Sequence, residues 1–358
     1  MVDAAPPRWD TIVLLCHLLD FWREPRSLGC LPKDGTWEPL IEAASAHLVT
    51  PALGITLRNR TGVPQDVADY FDAVLSLNRQ RNDSILRGLI STVDAFREIG
   101  IEPVLLKGGA AIASGLYPDP AMRIIGDIDL LIPEEQGEQA ASLLAGLGFA
   151  SLPSERVNYR EHHHLAPQHD PETGLMVELH VRPLLNRWSR LLDAKAMIGH
   201  ARLVDFRGRQ LRVPSPTHSV IHNIVHNQLT DQNYARHRLD TRQMLELAAL
   251  ILRHGEAIDW QAVRNTFADN DEMPLLQDTI ETVETLFEIP APYALGRSGN
   301  APLRALNAEA NRSDVSWMFD RSVSAVRTRP SVLLRVFQPY YWRRFFKALR
   351  QEMRGERW

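Results

Sequence analysis

Two aspartates, Asp127 and Asp129, stand one residue apart in an otherwise apolar run, Arg-Ile-Ile-Gly-Asp-Ile-Asp-Leu-Leu-Ile over 123–132. Alternate residues of a strand share a face, so both carboxylates point the same way. Two carboxylates on one face of a buried strand repel each other and lose hydration. A cation between them resolves both costs. Mg²⁺ suits the position, because it prefers oxygen ligands and is usually held by one or two carboxylates together with substrate phosphates. The competing reading is a strand end at which both aspartates meet water.

Upstream lies Lys107-Gly108-Gly109, at the junction of a short apolar strand and a helix. Glycine lets backbone approach an anion closely, and a helix start offers free N–H groups and partial positive charge. Lys107 adds a point charge for phosphates; the alternative is a tight turn with an exposed lysine. Downstream, Val177-Glu178-Leu179-His180-Val181 places Glu178 and His180 on one strand face and the three apolar residues on the other. Glu178 would complete a three-carboxylate site, as metal ligand or as general base toward an acceptor hydroxyl. An amphipathic edge strand with both side chains exposed is the alternative.

The histidines give weaker signals. His162 and His164 share a face in the run 162–164, which suits a metal pair or a substrate-facing strand. His218, His222 and His226 recur every fourth residue after Ser215. That spacing fits a zinc-binding helix, a polar face lining the cleft or an ordinary helix surface. Arg238 and Asp240, in Arg-His-Arg-Leu-Asp-Thr-Arg over 236–242, fit either a cleft wall contacting nucleotide or acceptor or a solvated helix start.

These groups need a scaffold. Residues 8 to about 100 carry helical patterning: 11–23 after Asp10, then 37–49 and 51–58. A long pattern from Pro64 runs through Val67, Tyr70, Phe71, Val74, Leu75, Leu77, Ile85, Leu86, Leu89, Ile90, Val93 and Phe96 to Gly100. The texture then becomes α/β. Strands are expected at 103–106, 124–132, 162–165 and 176–181, helices at 109–114 and 134–146, and a hairpin at 203–213 turning at Arg207-Gly208. Ser215-Pro216 reads as a cap followed by a first-turn proline, and helical pattern continues to about 288. Residues 290–302 read as a linker, 304–315 as irregular, and 331–354 as a last helix kinked at Pro339. The resulting expectation is an α+β, mostly helical protein in three parts: a helical region 1–100, an α/β core 101–213 and a helical region 214–358.

The 358 residues, 44% apolar and 23% charged, have ordinary globular composition. A net charge of -4 argues against a general basic coat for nucleic acid. Cys16 and Cys30 are too few for a disulfide framework, and Cys16 reads as a buried thiol. The apolar run 11–22 is short and interrupted by His17 and Asp20, so neither a signal peptide nor a membrane span is expected, and a cytoplasmic location is. The segment 331–358 is basic and aromatic, with Arg335, Arg343, Arg344 and Lys347 among Phe337, Tyr341 and Trp342. It suits RNA, a membrane surface or a partner protein, or a helix docked through its aromatics.

The order of glycine pair, Asp-x-Asp strand and later acid resembles the nucleotidyltransferase superfamily with the polymerase-β-like core. Within it, Leu106-Lys-Gly108, Tyr117-Pro118, Arg123, Gly126-Asp-Ile-Asp-Leu-Leu131 and Glu178-Leu-His180 resemble the bacterial family of uncharacterised nucleotidyltransferases. The likeness is specific over about 101–183. It implies a small mixed-sheet core, an NTP substrate, and Mg²⁺ (or Mn²⁺) on Asp127, Asp129 and Glu178 as catalytic metal ligands. It implies nucleotide binding by Lys107, Gly108 and Gly109, with Arg123 neutralising phosphate or bracing the aspartates. His164, His180, His222, Arg238 and Asp240 are candidates for the cleft. The expected reaction is two-metal transfer of NMP from an ATP-like nucleotide to a small molecule, a protein or RNA. A toxin-like RNA- or protein-modifying enzyme and a catalytically inactive nucleotide sensor are the alternatives. Seventeen residues separate Gly109 from Asp127, more than is usual in the superfamily, and the Tyr117-Pro-Asp-Pro120 loop would absorb the excess.

Overall fold

A computed structural model describes residues 8–22, 31–32, 37–58, 60–153, 159, 162–290, 295–296 and 301–311. Cys30 and the basic aromatic segment 331–358 lie outside the described residues. The fold is α+β. Helices α1 (Arg8–Leu18), α2 (Trp37–Ala46), α3 (Thr50–Leu57) and α4 (Gln65–Glu98) come first. There follow β1 (Val104–Leu105), α5 (Lys107–Ala113), β2 (Ile128–Leu131), α6 (Gly137–Gly146), β3 (Ala150–Ser151), β4 (Gln168–His169) and β5 (Met176–His180). After α7 (Ala194–Gly199) and the hairpin β6 (Arg202–Phe206) and β7 (Arg209–Val213) the chain is helical. This part comprises α8 (Pro216–Val225), α9 (Thr241–His254), α10 (Trp260–Ala268), α11 (Met273–Phe287) and α12 (Ala301–Ala310).

The seven strands form one mixed sheet in the order β3-β4-β5-β2-β1-β7-β6. β2 runs antiparallel to β1 and parallel to β5. The alternation of apolar residues divides the sheet into two faces. Ile128, Leu130, Val177 and Leu179 bury on one face with Leu86, Leu89, Val93 and Phe96 of α4 and with Ala140 and Leu144 of α6. On the opposite face Leu131 joins a second core, in which α1 to α3 and the first part of α4 pack with α8, α9 and α11. The N-terminal and C-terminal helices thus share one core behind the sheet, and α4 reaches both cores.

The buried stripe of α4 is Val67, Phe71, Leu75, Asn78, Asn82, Leu86, Leu89, Val93 and Phe96, spaced by threes and fours. The expected stripe differs in its middle: Leu77 is 67% exposed and Tyr70 38%, because the helical repeat puts Asn78 and Asn82 inward there. Both amides have work inside. Asn78 Nδ2 donates to Ala121 O at 2.7 Å, and Asn82 Nδ2 donates to Pro120 O at 2.8 Å and Arg123 O at 2.6 Å. They pin the segment that leads into the aspartates, so the long connection from Gly109 to Asp127 is a packed structure in which Leu116 and Tyr117 are buried.

Three other expectations are corrected. The strand expected at 124–132 is ordered as strand only over Ile128–Leu131. The strand expected at 162–165 reduces to a single bridge between His164 and His180. Residues 301–310, expected as linker and irregular chain, form α12, for which Ala301, Ala305, Ala308 and Ala310 supply high helix propensity. Ser215 does cap α8, accepting from His218 N at 3.2 Å, with Pro216 in the first turn. The helical pattern that follows is broken by a π turn over His226–Thr230.

Candidate active site

Parallel pairing of β2 with β5 sets Asp129 directly opposite Glu178. Their carboxylates leave the sheet on the face opposite Leu130 and Leu179, and His180 follows on the same face. One ligand atom from each of Asp129, Glu178 and His180 falls within 4.8 Å of the others. His180, completely buried between β2 and the 162–165 segment, donates Nε2–H to Asp129 Oδ1 at 2.9 Å and lies 3.6 Å from Glu178 Oε2. It orients the acids, and β5 is an interior strand, so neither residue sits on an exposed edge. Asp127 lies just before β2 and is half-buried.

Lys107 enters from the start of α5, beside β2. Its Nζ lies 2.6 Å from Asp129 Oδ1 and 3.7 Å from Glu178 Oε2. To aim there, Lys107 takes a left-handed backbone conformation with φ 48°, which is unfavourable for a residue with a side chain. The sequence reading gives this lysine to phosphate, but the structure makes it the counter-charge of the acids.

The electrostatics follow from this packing. Burial works against the Lys107 ammonium, but Asp129 and Glu178 outweigh it and raise its pKa. Burial likewise disfavours the Asp129 charge, yet Lys107 and the His180 hydrogen bond hold its carboxyl well below the usual range. The same balance, led by the His180 contact once burial is overcome, lowers Glu178. Asp127 goes the other way: burial and then the Asp129 charge raise its pKa. The set contains three carboxylates and one ammonium, so it retains negative charge and oxygen ligands suited to a hard divalent ion.

The two glycines differ. A Cβ on Gly108 would meet Ile125 Cγ2 at 2.6 Å, whereas one on Gly109 would meet nothing within 4 Å. Gly108 is therefore required by packing against the strand approach, and Gly109 leaves open space at the helix start. Arg123 is buried and turned away from the acids. Its Nε donates to Glu246 Oε2 at 2.9 Å and its Nη1 to Ile124 O at 2.6 Å, and Tyr117 Oη donates to the same carboxylate at 3.5 Å. Burial disfavours the guanidinium charge, but Glu246 more than offsets it. The expected contact of Arg123 with phosphate or aspartate is replaced by a brace from the loop to α9. Glu246 escapes sequence reasoning because it lies 123 residues away, although a charged residue on the apolar face of α9 is a signal for a buried pair.

Of the remaining candidates, His164 reaches the site, with Nε2 3.9 Å from Glu178 Oε2. His222 is buried on α8, its Nε2 3.1 Å from Pro183 O. Burial and then His226 push its pKa down to about 3. His222 and Lys107 line a cavity of about 40 Å³ with Asn223, His226 and Glu246, room for a few waters. Arg238 lines a separate cavity with Tyr234 and Asp278, and Asp240 caps α9 by accepting from Gln243 N at 3.1 Å.

The model of a family described as uncharacterised nucleotidyltransferase matches residues 33–286. The chain belongs to this uncharacterised nucleotidyltransferase family. The match spans both acid strands, the lysine and the bracing helices α4, α8 and α9. No curated protein and no solved structure matches the chain. Among the described residues, no helix is long and apolar enough to cross a membrane.

Proposed function

We propose that the chain is an NTP-dependent nucleotidyltransferase with a polymerase-β-like core, which moves an NMP group to an acceptor and releases pyrophosphate. The supporting observation is the pairing of Asp129 with Glu178 on parallel neighbouring strands, with Asp127 two residues before Asp129. Asp127, Asp129 and Glu178 would hold Mg²⁺ or Mn²⁺, two ions in the full arrangement. The ions would neutralise phosphate charge and lower the pKa of the attacking hydroxyl.

The acceptor hydroxyl loses its proton to solvent, its oxygen forms a bond to the α-phosphorus as the bond from that phosphorus to the α,β-bridging oxygen breaks, and pyrophosphate carries away the electron pair. Glu178, held below its usual range, suits a ligand role better than that of a base. His180 keeps the Asp129 carboxylate oriented. Lys107 balances the acids through Asp129 and Glu178, and triphosphate oxygens entering beside them would compete for its ammonium. Positioning and charge neutralisation would supply most of the catalysis.

A sensor that binds nucleotide without turnover is the second reading, favoured by the way Lys107 already satisfies Asp129. Incubation with each α-labelled NTP, Mg²⁺ or Mn²⁺ and a lysate divided into RNA, protein and small molecules separates the two. Label entering one fraction supports transfer and gives the acceptor class. Tight NTP binding with no label in any fraction supports the sensor.

A further inference from the structure

Beside the acids, the segment 162–164 brings three imidazoles together. The ring centroids of His162 and His163 are 4.2 Å apart, those of His162 and His164 4.2 Å, and those of His163 and His164 4.8 Å. One ring nitrogen of each falls within 4.8 Å of the others. Consecutive side chains of a strand would alternate, and these converge because only His164 is paired to β5. The backbone is nonetheless held, since His163 O accepts from Val181 N at 2.9 Å and Arg182 N at 3.1 Å.

The nitrogens are not used up by the protein. His163 is 6% exposed, and its Nδ1 is buried with no hydrogen-bond partner among the described residues; the same is true of His162 Nδ1. A buried polar nitrogen without a partner is costly, and here two occur side by side. His164 Nδ1 lies 2.6 Å from Leu165 O and donates to it, which leaves Nε2 as a bare lone pair. That is the outer hydrogen bond that typically orients a metal-binding imidazole.

We propose that His162, His163 and His164 form a second cation site, for a borderline d-block ion such as Zn²⁺, separate from the carboxylate site. Three imidazoles with an open fourth position are a common zinc ligand set, with Zn–N near 2.0–2.1 Å, and small ring rotations would draw the nitrogens inward. Mg²⁺ would not compete, because it selects oxygen ligands. Glu178 Oε2, 3.9 Å from His164 Nε2, puts the two sites edge to edge, so an ion on the histidines would add positive charge beside the acids.

The test uses the full chain, purified without a histidine tag, loaded with Zn²⁺, desalted and assayed for metal by mass spectrometry. The expected result is about one Zn²⁺ per chain, retained in D127N/D129N and lost in H162Q. His162 is chosen because it is less buried than His163. X-ray absorption at the zinc edge of the wild-type chain is expected to show three imidazole shells, and this decides the matter should H162Q lose its far-UV circular dichroism. A wild-type chain that retains no Zn²⁺, a folded H162Q that retains as much as wild type, or a zinc shell with fewer than three imidazoles would overturn the proposal.

Discussion

Lys107 closes on Asp129 at 2.6 Å from a left-handed backbone conformation. A bulky residue in that conformation carries strain of order 1–3 kcal/mol, which persists only where the surroundings impose it. Here the surroundings are the buried Asp129 and the half-buried Glu178, which Lys107 contacts alongside His180. Lys107→Met should therefore leave Asp129 and Glu178 uncompensated and destabilise the fold by ~3 kcal/mol or more, as for other broken buried pairs. Urea unfolding checks this. Added Mg²⁺ should recover more stability in the variant than in wild type, since the ion replaces the lost charge. The double variant K107M/D129N should be less destabilised than the sum of its parts.

Arg123 and Glu246 form the second buried pair, at 2.9 Å. Arg123→Met leaves a buried carboxylate alone, and a loss of about 3–5 kcal/mol is expected. R123M/E246M should regain much of that. Chemical denaturation of the four proteins measures the coupling. If Arg123 instead served phosphate directly, R123M would spare stability and weaken NTP binding.

The glycine pair can be separated experimentally. Gly108→Ala drives a methyl to 2.6 Å from Ile125 Cγ2, so a loss of about 1–3 kcal/mol is expected from overpacking. Gly109→Ala meets nothing within 4 Å and should leave the melting temperature unchanged or raised, since alanine favours helix by up to about 1 kcal/mol. If backbone at Gly109 lies against triphosphate, G109A should weaken NTP binding at least tenfold while remaining fully folded. Isothermal titration of nucleotide into G109A reads this out.

His222 makes stability depend on pH. Its folded pKa is depressed from 6.5 to about 3, so the unfolded chain takes up a proton that the folded chain refuses. Stability from this residue is complete above about pH 6.5, declines as the pH falls, and stops changing near pH 3. The upper limit is on the order of several kcal/mol. Urea unfolding between pH 4 and 7 should show the slope, and His222→Gln should reduce it, leaving the share of other depressed histidines such as His162 and His163.

Much of this arrangement is legible in the sequence, because it follows from local periodicity. The shared face of Glu178 and His180, the cap at Ser215 and the turn at Arg207-Gly208, both with positive φ, come from spacing and turn chemistry alone. What is not legible depends on partners distant in the chain. Asn78 and Asn82 fall outside the apolar pattern of the long helix, and the carbonyls of 120–123 that use them come from a distant part of the chain. Arg123 reads as a phosphate ligand because its partner Glu246 is on another helix. Lys107 reads as a free cation because its left-handed backbone, which turns it onto Asp129, is set by the packing of α5 on β2. Residues 301–302 read as the end of a linker and 304–310 as irregular because Pro302 and polar neighbours hide the alanine content of α12.

The proposed role of Asp127 and Asp129 is to hold the divalent ion that supports NMP transfer. Its most direct test is transfer of α-label from the preferred NTP, in the presence of the acceptor fraction, by wild type and by D127N/D129N over a Mg²⁺ series. Label transfer should rise with Mg²⁺ in wild type and fall at least a hundredfold in a folded D127N/D129N, on the scale of lost transition-state charge stabilisation. Undiminished transfer by D127N/D129N with the same Mg²⁺ dependence would contradict it.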